Sequence, residues 1–325
     1  MDKSTPPVLE LSNFSLIKFE RGGDLVKEEI KENIKKCCKE HGFFTISDYG
    51  IHELLIKEAL GISKDFFDLP LQQKKQCFKR NSFGIDRGYQ ERQFEVMSGF
   101  AESAIPDANE FFMLGKDLSY SDSCKIAQLE SVCLEEIYLE NIFPNSLPQM
   151  RKILNNLYEC MYNLSLRLHS LLQYVLDIKL PELSKISSEL GLSYYPKITN
   201  HIKENQWRIG AHEDHDMFTI LLPCREEGKI EDPHGRGGLE LLYKNEYHRV
   251  LYKNSDLIIN CGHTLRHISG DKYKSALHRI PMPKPSKLHD NTRYSISYNA
   301  YAIFKYHQHS LRELQRLINK GNSVI

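Results

Sequence analysis

Two histidines and an aspartate carry the first chemical signal in this chain: His212 and Asp214 inside WRIGAHEDHDMFTILLP, and His278 inside KSALHRI. Two imidazoles and one carboxylate can hold a divalent iron on one face. They leave three coordination positions open, which is what an ion that must bind both a co-substrate and dioxygen requires. A structural zinc site more often closes four ligands, with cysteines among them. Arg293 and Ser295, in NTRYSISYNA, form a second pair. A guanidinium grips a carboxylate through two parallel hydrogen bonds and a hydroxyl adds a third donor, so this pair can hold the far carboxylate of a diacid.

These residues need elements that bring them together. His212 and Asp214 are two positions apart just before an apolar β-like run, and a strand reaching back through them sends both side chains from one face. Arg293 and Ser295 share a face by the same rule. His278 lies in another predicted strand, and a barrel-like sheet brings distant strands side by side. The residues alone leave rivals: His215 and Asp216 adjoin the first pair, and His263 and His267 in CGHTLRHISG are nearer to it than His278. A helical reading would group His212, His215 and Asp216 instead. An isolated H-x-D is common by chance, and an isolated arginine two residues from a serine is commonly a surface ion pair. The order of the segments changes that balance: H-x-D, GGLELLY, LIINCG, HRI, then RYS.

The first half of the chain reads as mostly helical. Pro7 to Phe14 is strand-like, Asp24 to Gly42 is a helix stopped by its glycine, and Gly42 to Ile51 is a second strand. A helix follows from His52 to Phe67, ended by Leu69-Pro70, and residues 80–125 read as loops and short strands. The longest helix runs from Leu147 to Ile178, with Met150, Leu154, Leu157, Met161, Leu164, Leu168, Leu171 and Val175 at three- and four-residue steps. That stripe is core rather than a cofactor box. Beyond Pro181 come short β runs at 192–196, 217–223, 238–243, 246–252, 256–262, 275–280 and 293–301, separated by glycine, proline, asparagine or aspartate. Strands of this length and spacing predict an antiparallel sandwich or jelly roll. A last helix is expected from Ser310 to Asn319.

Composition narrows the function further. A chain of 325 residues with 41% apolar content can bury a large core. Lys+Arg and Asp+Glu both total 43, so no net charge favours a polyanion, and neither a nucleic acid nor a membrane surface is an expected partner. The cysteines show no C-x-x-C pair and read as reduced thiols of a cytoplasmic protein. The start, MDKSTPPVLELSNF, has no apolar signal region, and no segment approaches the length of a membrane span. A monomer is the expectation.

Taken together the segments resemble the non-haem iron, 2-oxoglutarate-dependent dioxygenases, in the branch that includes plant flavonoid and gibberellin oxygenases and isopenicillin N synthase. PVLELS resembles the family's opening strand. HGFFTISDYGI resembles its glycine-phenylalanine-phenylalanine segment, with Asp48-Tyr49 where Asn-His is usual. SYYP, from Ser193 to Pro196, resembles the family's Asn-Tyr-Tyr-Pro, and GGLELL, DLIINCG, KYKSALHRI and RYSI follow in family order. The resemblance implies a double-stranded β-helix with the long helix behind one sheet. Residues 1–125 would form the N-terminal helical and mixed region, and 126–325 the long helix, jelly-roll core and C-terminal helix, in one compact unit.

Carried over by position, the resemblance implies that His212, Asp214 and His278 bind Fe(II), and that Arg293 and Ser295 bind the 5-carboxylate of 2-oxoglutarate with Tyr195 adding a hydroxyl. Ser193 replaces the usual asparagine and His263 the common aspartate. The implied reaction couples O2 and decarboxylation of 2-oxoglutarate to succinate and CO2 with hydrogen abstraction from a small specialised metabolite. Asp214 fills the position that related halogenases leave to chloride, which points to hydroxylation, desaturation or ring closure. An oxidase like isopenicillin N synthase, using the triad without 2-oxoglutarate, is the alternative, since HED and INCG resemble that enzyme. A non-catalytic protein keeping the fold would be expected to lose a ligand or the arginine. Arg87, Tyr89, Arg92, Phe218 and Tyr298 are the candidates to touch substrate, with the two arginines suited to a carboxylate.

Overall fold

The computed structural model describes residues 6–80, 86–91, 107–130, 139–197, 206–223, 238–253, 255–283 and 292–303. Along the chain run β1 (Val8–Glu10), β2 (Asn13–Ser15), α1 (Leu16–Arg21), α2 (Asp24–Glu40), β3 (Phe43–Ser47), α3 (Glu53–Phe67) and α4 (Leu71–Lys75). Then come β4 (Phe78–Arg80), β5 (Asp86–Gln90), β6 (Glu110–Gly115), α5 (Tyr120–Glu130), α6 (Met150–Leu176), β7 (Glu189–Tyr195), β8 (Trp207–His212) and β9 (Phe218–Leu222). The chain continues through β10 (Glu240–Tyr243), β11 (Glu246–Leu251), β12 (Leu257–Cys261), α7 (His263–Ile268), β13 (His278–Pro281) and β14 (Arg293–Ala300). The helix expected at Ser310 to Asn319 lies outside the described residues.

Two sheets face each other as a jelly roll. One has the order β1-β11-β10-β13-β8, and the other β2-β3-β12-β9-β14-β7-β6-β5-β4. The expected strand from Pro7 to Phe14 is split between them, because β1 joins β11 in the smaller sheet and β2 joins β3 in the larger. Strand β8, absent from the expectation, forms the edge of the smaller sheet beside β13.

Helix α6 explains the long apolar stripe. Leu154, Leu157, Leu168 and Val175 are fully buried, and they belong to one core with Leu192, Ile220 and Ile296 of the larger sheet. Each such side chain contributes about 1.5–3 kcal/mol by leaving water. The helix therefore covers one face of that sheet and leaves the opposite face to the interior between the sheets. Alternation assigns residues to each side: along β14, Ile296, Tyr298 and Ala300 join the helix-side core, so Arg293, Ser295, Ser297 and Asn299 point inward.

The turn from α2 into β3 needs its glycine. Gly42 has φ +72°, donates its N–H to the Cys37 carbonyl, and a Cβ there would stand 2.4 Å from the Lys274 carbonyl oxygen. After β3, Asp48 sits at φ +53°, the left-handed region that Asp and Asn tolerate best. The aspartate at this position thus meets the same backbone requirement as an asparagine. No helix among the described residues is long and apolar enough to cross a membrane.

Candidate active site

His212 ends β8 and His278 opens β13, and the two are direct partners across that pair of strands. Their rings lie 4.3 Å apart, centroid to centroid. Asp214 lies past the end of β8 in the connection to β9, so strand alternation is not what sets it beside His212. The connection is folded back by hydrogen bonds: the His263 N–H donates to the Asp214 carbonyl at 2.7 Å, and the Thr264 N–H donates to the Asp216 carbonyl at 3.1 Å. Between these contacts Gly262 is packed so closely that a Cβ would sit 2.2 Å from the Asp216 carbonyl oxygen. His263 therefore acts here through its backbone, which leaves its side-chain identity unconstrained by this contact.

The three side chains converge. His212 Nε2 is 3.5 Å and His278 Nε2 is 3.6 Å from Asp214 Oδ1. Each imidazole has its other nitrogen committed to a carbonyl two residues upstream, His212 Nδ1 to Gly210 at 2.9 Å and His278 Nδ1 to Ala276 at 3.0 Å. With Nδ1–H donating to a carbonyl, each Nε2 presents a lone pair to the shared point, as a metal-binding histidine must. The three ligand atoms lie within 4.8 Å of one another, close enough for one ion. Of the rivals, His215 turns towards His263 and His267 lies in α7, and neither joins the convergent group.

The Asp214 carboxylate is set by two neighbours on inward-facing positions. Asn260 Nδ2 donates to Asp214 Oδ2 at 2.7 Å, and Thr219 Oγ1 lies 2.5 Å from the same oxygen. Thr219 Oγ1 is also 2.7 Å from Asp216 Oδ2, which Asn299 Nδ2 approaches at 2.9 Å. A single hydroxyl hydrogen cannot serve both carboxylates. Burial, and then the nearby Asp214 charge, push the Asp216 carboxyl well above the usual range, which favours its neutral form beside the ionised Asp214.

Electrostatics keeps Asp214 ionised. Burial favours its neutral form, but His278, His212 and Thr219 together hold it well below the usual carboxylate range. His278 is pushed down to about 4, first by burial and then by His212. For His212 burial is outweighed by the Asp214 carboxylate and the Gly210 carbonyl, and its imidazole is raised.

Arg293 and Ser295 begin β14, opposite Tyr195 and Ser193 of β7. The buried Tyr195 hydroxyl is hydrogen-bonded to Ser295 and Ser193 with Arg293 nearby; burial raises it despite these contacts. Ser193 thus belongs to the polar group around Tyr195. Tyr195 also touches Ile209 and Ile280, with Phe111 alongside. Ile280 stands two residues from His278 on the same strand, so a short apolar floor links the two polar groups. Arg208, fully buried with its guanidinium 5.7 Å from the Tyr195 ring centroid, is a second cation there that the sequence did not single out.

Of the residues expected to touch substrate, the four among the described residues have other partners. Arg87 is 2% exposed and its guanidinium meets Glu189 at 2.5 Å, in space left by Gly115. The Tyr89 hydroxyl donates to Glu110, which also pairs with Lys74. Phe218 and Tyr298 point to the helix side of the larger sheet, where Tyr298 packs on Tyr158. Period-two alternation turns these two from the triad; the inward neighbour of Phe218 is Thr219. Arg92 lies outside the described residues.

With this geometry in place, comparison with known proteins is direct. Residues 7–134 match the family described as non-haem dioxygenase in morphine synthesis N-terminal, and residues 187–299 match the 2OG-Fe(II) oxygenase superfamily. A 2-oxoglutarate-Fe(II) type oxidoreductase of Aspergillus fumigatus is 25% identical over 85% of this chain and 77% of its own length. Gibberellin 20 oxidase 1 of Arabidopsis thaliana is also 25% identical, over 78% of this chain and 61% of its own. Among solved structures, a full-length Neurospora crassa protein in complex with alpha-KG aligns with TM-score 0.70 at 20% identity, covering 93% of this chain and 87% of that one. A 2OG-Fe(II) oxygenase family protein of Caulobacter crescentus aligns with TM-score 0.72 at 20% identity, over 94% and 99%. Relatives of this kind do not favour the oxidase that dispenses with 2-oxoglutarate. The fold, the two family matches and the convergent triad agree that the chain belongs to the 2OG-Fe(II) oxygenase superfamily and is a 2-oxoglutarate-dependent dioxygenase.

Proposed function

We propose that His212, Asp214 and His278 hold Fe(II), that Arg293, Ser295 and Tyr195 hold the 5-carboxylate of 2-oxoglutarate, and that the substrate is a small specialised metabolite. The observation that carries this reading is the commitment of both Nδ1 atoms to backbone carbonyls, which leaves two Nε2 lone pairs aimed with Asp214 at one point. The donor set fits ferrous iron: two neutral nitrogens, one carboxylate and no thiolate. Bound iron supplies dioxygen activation coupled to oxidative decarboxylation of 2-oxoglutarate, with succinate and CO2 as co-products.

The chain's own residues prepare that chemistry. His278, with its imidazole pushed down to about 4, is neutral near pH 7, so no proton is displaced from it on ligation. Asp214 is ionised and its second oxygen is satisfied by Asn260 and Thr219. Arg293 offers a permanent cation to the distal carboxylate, and Ile209, Ile280 and Phe111 make the path from it to the triad apolar.

Curated relatives include gibberellin 20 oxidases and fungal enzymes such as the proline hydroxylase buaE, and the similar Neurospora crassa structures include one with thymine. Small organic molecules are thus the substrate class we assign, with hydroxylation, desaturation or ring closure as the outcome. The ion pair of Arg87 with Glu189 removes one of the two arginines that suggested a substrate carboxylate. Free thiols such as Cys37, Cys38 and Cys261 suit a reducing compartment, and we place the chain in the cytoplasm as a monomer.

The test is an anaerobic titration. Protein loaded with Fe(II) and 2-oxoglutarate should develop a weak visible charge-transfer band, absent in Asp214→Ala and weakened in Arg293→Ala. Full metal loading without a band would count against the assignment.

A further inference from the structure

We propose that Asp107 is a positioning residue of the iron site, acting on His212 through the backbone of Gly210. The inference rests on His212 being a metal ligand, and begins from an irregularity in the strand that carries it.

Strands β8 and β13 are out of step beside the triad. His278 pairs with His212, but Ile280 pairs with Ile209, so Gly210 and Ala211 together stand opposite the single residue Arg279. Such a bulge interrupts the ladder and re-aims the neighbouring side chain. Here it falls on the residue whose carbonyl orients His212, since Gly210 accepts the Nδ1–H at 2.9 Å. A glycine at an interrupted register is the least constrained backbone on which to hang a ligand's orientation.

Asp107 supplies a constraint at this point. Its Oδ1 accepts the Gly210 N–H at 3.1 Å, and the adjacent Ala108 N–H donates to the Trp207 carbonyl at 2.8 Å. The segment leading into β6 therefore runs along the edge of β8 and ties the larger sheet to the smaller one. Asp107 is only 4% exposed, so the contact is shielded from water, and a carboxylate acceptor makes it stronger than a neutral one. One residue, Gly210, is thus held at its N–H by Asp107 and holds His212 with its C=O.

The partner histidine is supported differently. Against His278 the ring of Phe43 packs edge-on, with centroids 5.5 Å apart. Both imidazoles are held by a carbonyl, and beyond it ring packing supports His278 while a buried carboxylate braces the peptide that holds His212. Orienting partners of metal ligands are commonly worth 10- to 100-fold in metal affinity.

The test uses Co(II) as the probe in the full chain, with affinity and d–d absorption measured for each variant. Asp107→Ala, with wild-type circular dichroism, should bind Co(II) about 10- to 100-fold more weakly and show an altered d–d spectrum. Asp107→Asn keeps an Oδ1 acceptor in place and should stay within about threefold of wild type. Wild-type affinity in a folded Asp107→Ala overturns the proposal, as does Asp107→Asn binding as weakly as the alanine variant. Should Asp107→Ala not fold, Asp107→Glu decides: the acceptor moves by one methylene, weaker Co(II) binding supports the clamp, and unchanged binding overturns it. Asp214→Ala, run alongside, reports on the triad itself; its retention of Co(II) would overturn both readings, whereas its loss leaves the Asp107 variants to decide.

Discussion

The ring of Phe43 meets the imidazole of His278 edge-on, at 5.5 Å between centroids and 71° between planes. Phe43 is the first phenylalanine of the GFF segment, on a strand paired with β12 and 1% exposed, so the motif near the start of the chain is part of the metal site's support. Phe43→Ala should cost about 3–5 kcal/mol of stability through lost contacts and the cavity left behind. Metal affinity should fall with it, because His278 gains freedom to rotate. Chemical denaturation with and without Co(II) checks both, and Phe43→Leu should give a milder loss of each.

The low imidazole of His278 predicts how the metal-free protein responds to acid. Burial, and then His212, push this group down to about 4, whereas an unfolded histidine protonates near 6.5. Between these values the unfolded chain binds the extra proton and the folded one does not, so stability falls as pH falls through that window. The contribution is on the order of 3 kcal/mol, fully present above about pH 6.5. His212, whose imidazole is raised, acts in the opposite sense, its contribution being lost as pH rises above about 6.5. Denaturation midpoints of metal-free protein at about pH 7 and about pH 5 should converge in His278→Gln relative to wild type.

The legible parts of this site were those that repeat or stand in order. The α6 stripe recurs often enough to define a face, and RYS, HRI and H-x-D gained meaning from their sequence. Strand β8 was hard to see because WRIGAH is short, buries Arg208 and Gly210 along with Ile209 and carries a bulge, while α7 is only six residues long with only Leu265 and Ile268 to mark a period. Phe218 and Tyr298, expected near the substrate from their place beside the motifs, join the helix-side core, because proximity to a motif says nothing about which side of a strand a residue takes. Asn260 in LIINC and Thr219 in FTILL offered a usable signal, a lone polar residue in an apolar strand beside the motif. Asp107 offered none, since its role exists only through a backbone contact made across 103 positions.

Thr219 bridges two carboxylates, and its removal should be felt by both. Thr219→Val keeps the shape but takes away the hydroxyl that stands within hydrogen-bond distance of both Asp214 Oδ2 and Asp216 Oδ2. Leaving buried polar groups without a partner costs about 1–3 kcal/mol, and the two carboxyl groups lose the group between them. Weaker Fe(II) binding should accompany the lost stability, whereas Thr219→Ser should retain most of both; equilibrium denaturation and anaerobic metal titration separate the two quantities.

Tyr195 is argued to serve the co-substrate through its hydroxyl, which meets Ser295 and Ser193 beside Arg293. Tyr195→Phe should raise KM for 2-oxoglutarate by about tenfold, the range expected for one hydrogen bond to a charged group. The KM for substrate should change little. Arg293→Lys should act more strongly on the same constant, because an ammonium cannot reproduce the two parallel bonds of a guanidinium.

Arg87 offers the sharpest contrast between a structural and a recognition role. It is 2% exposed and tied to Glu189, whose strand position in β7 is opposite Gly115 of β6. Its removal leaves Glu189 partly buried without its cation, a loss of about 3 kcal/mol, at the lower end for breaking such a pair because that carboxylate keeps some access to water. Arg87→Leu with Glu189→Leu should recover part of that loss, since an apolar pair of similar volume replaces two desolvated charges. Once folded, the double variant should keep wild-type KM values for both 2-oxoglutarate and substrate. A substrate KM that rises in the double variant at unchanged stability would instead make Arg87 a recognition residue.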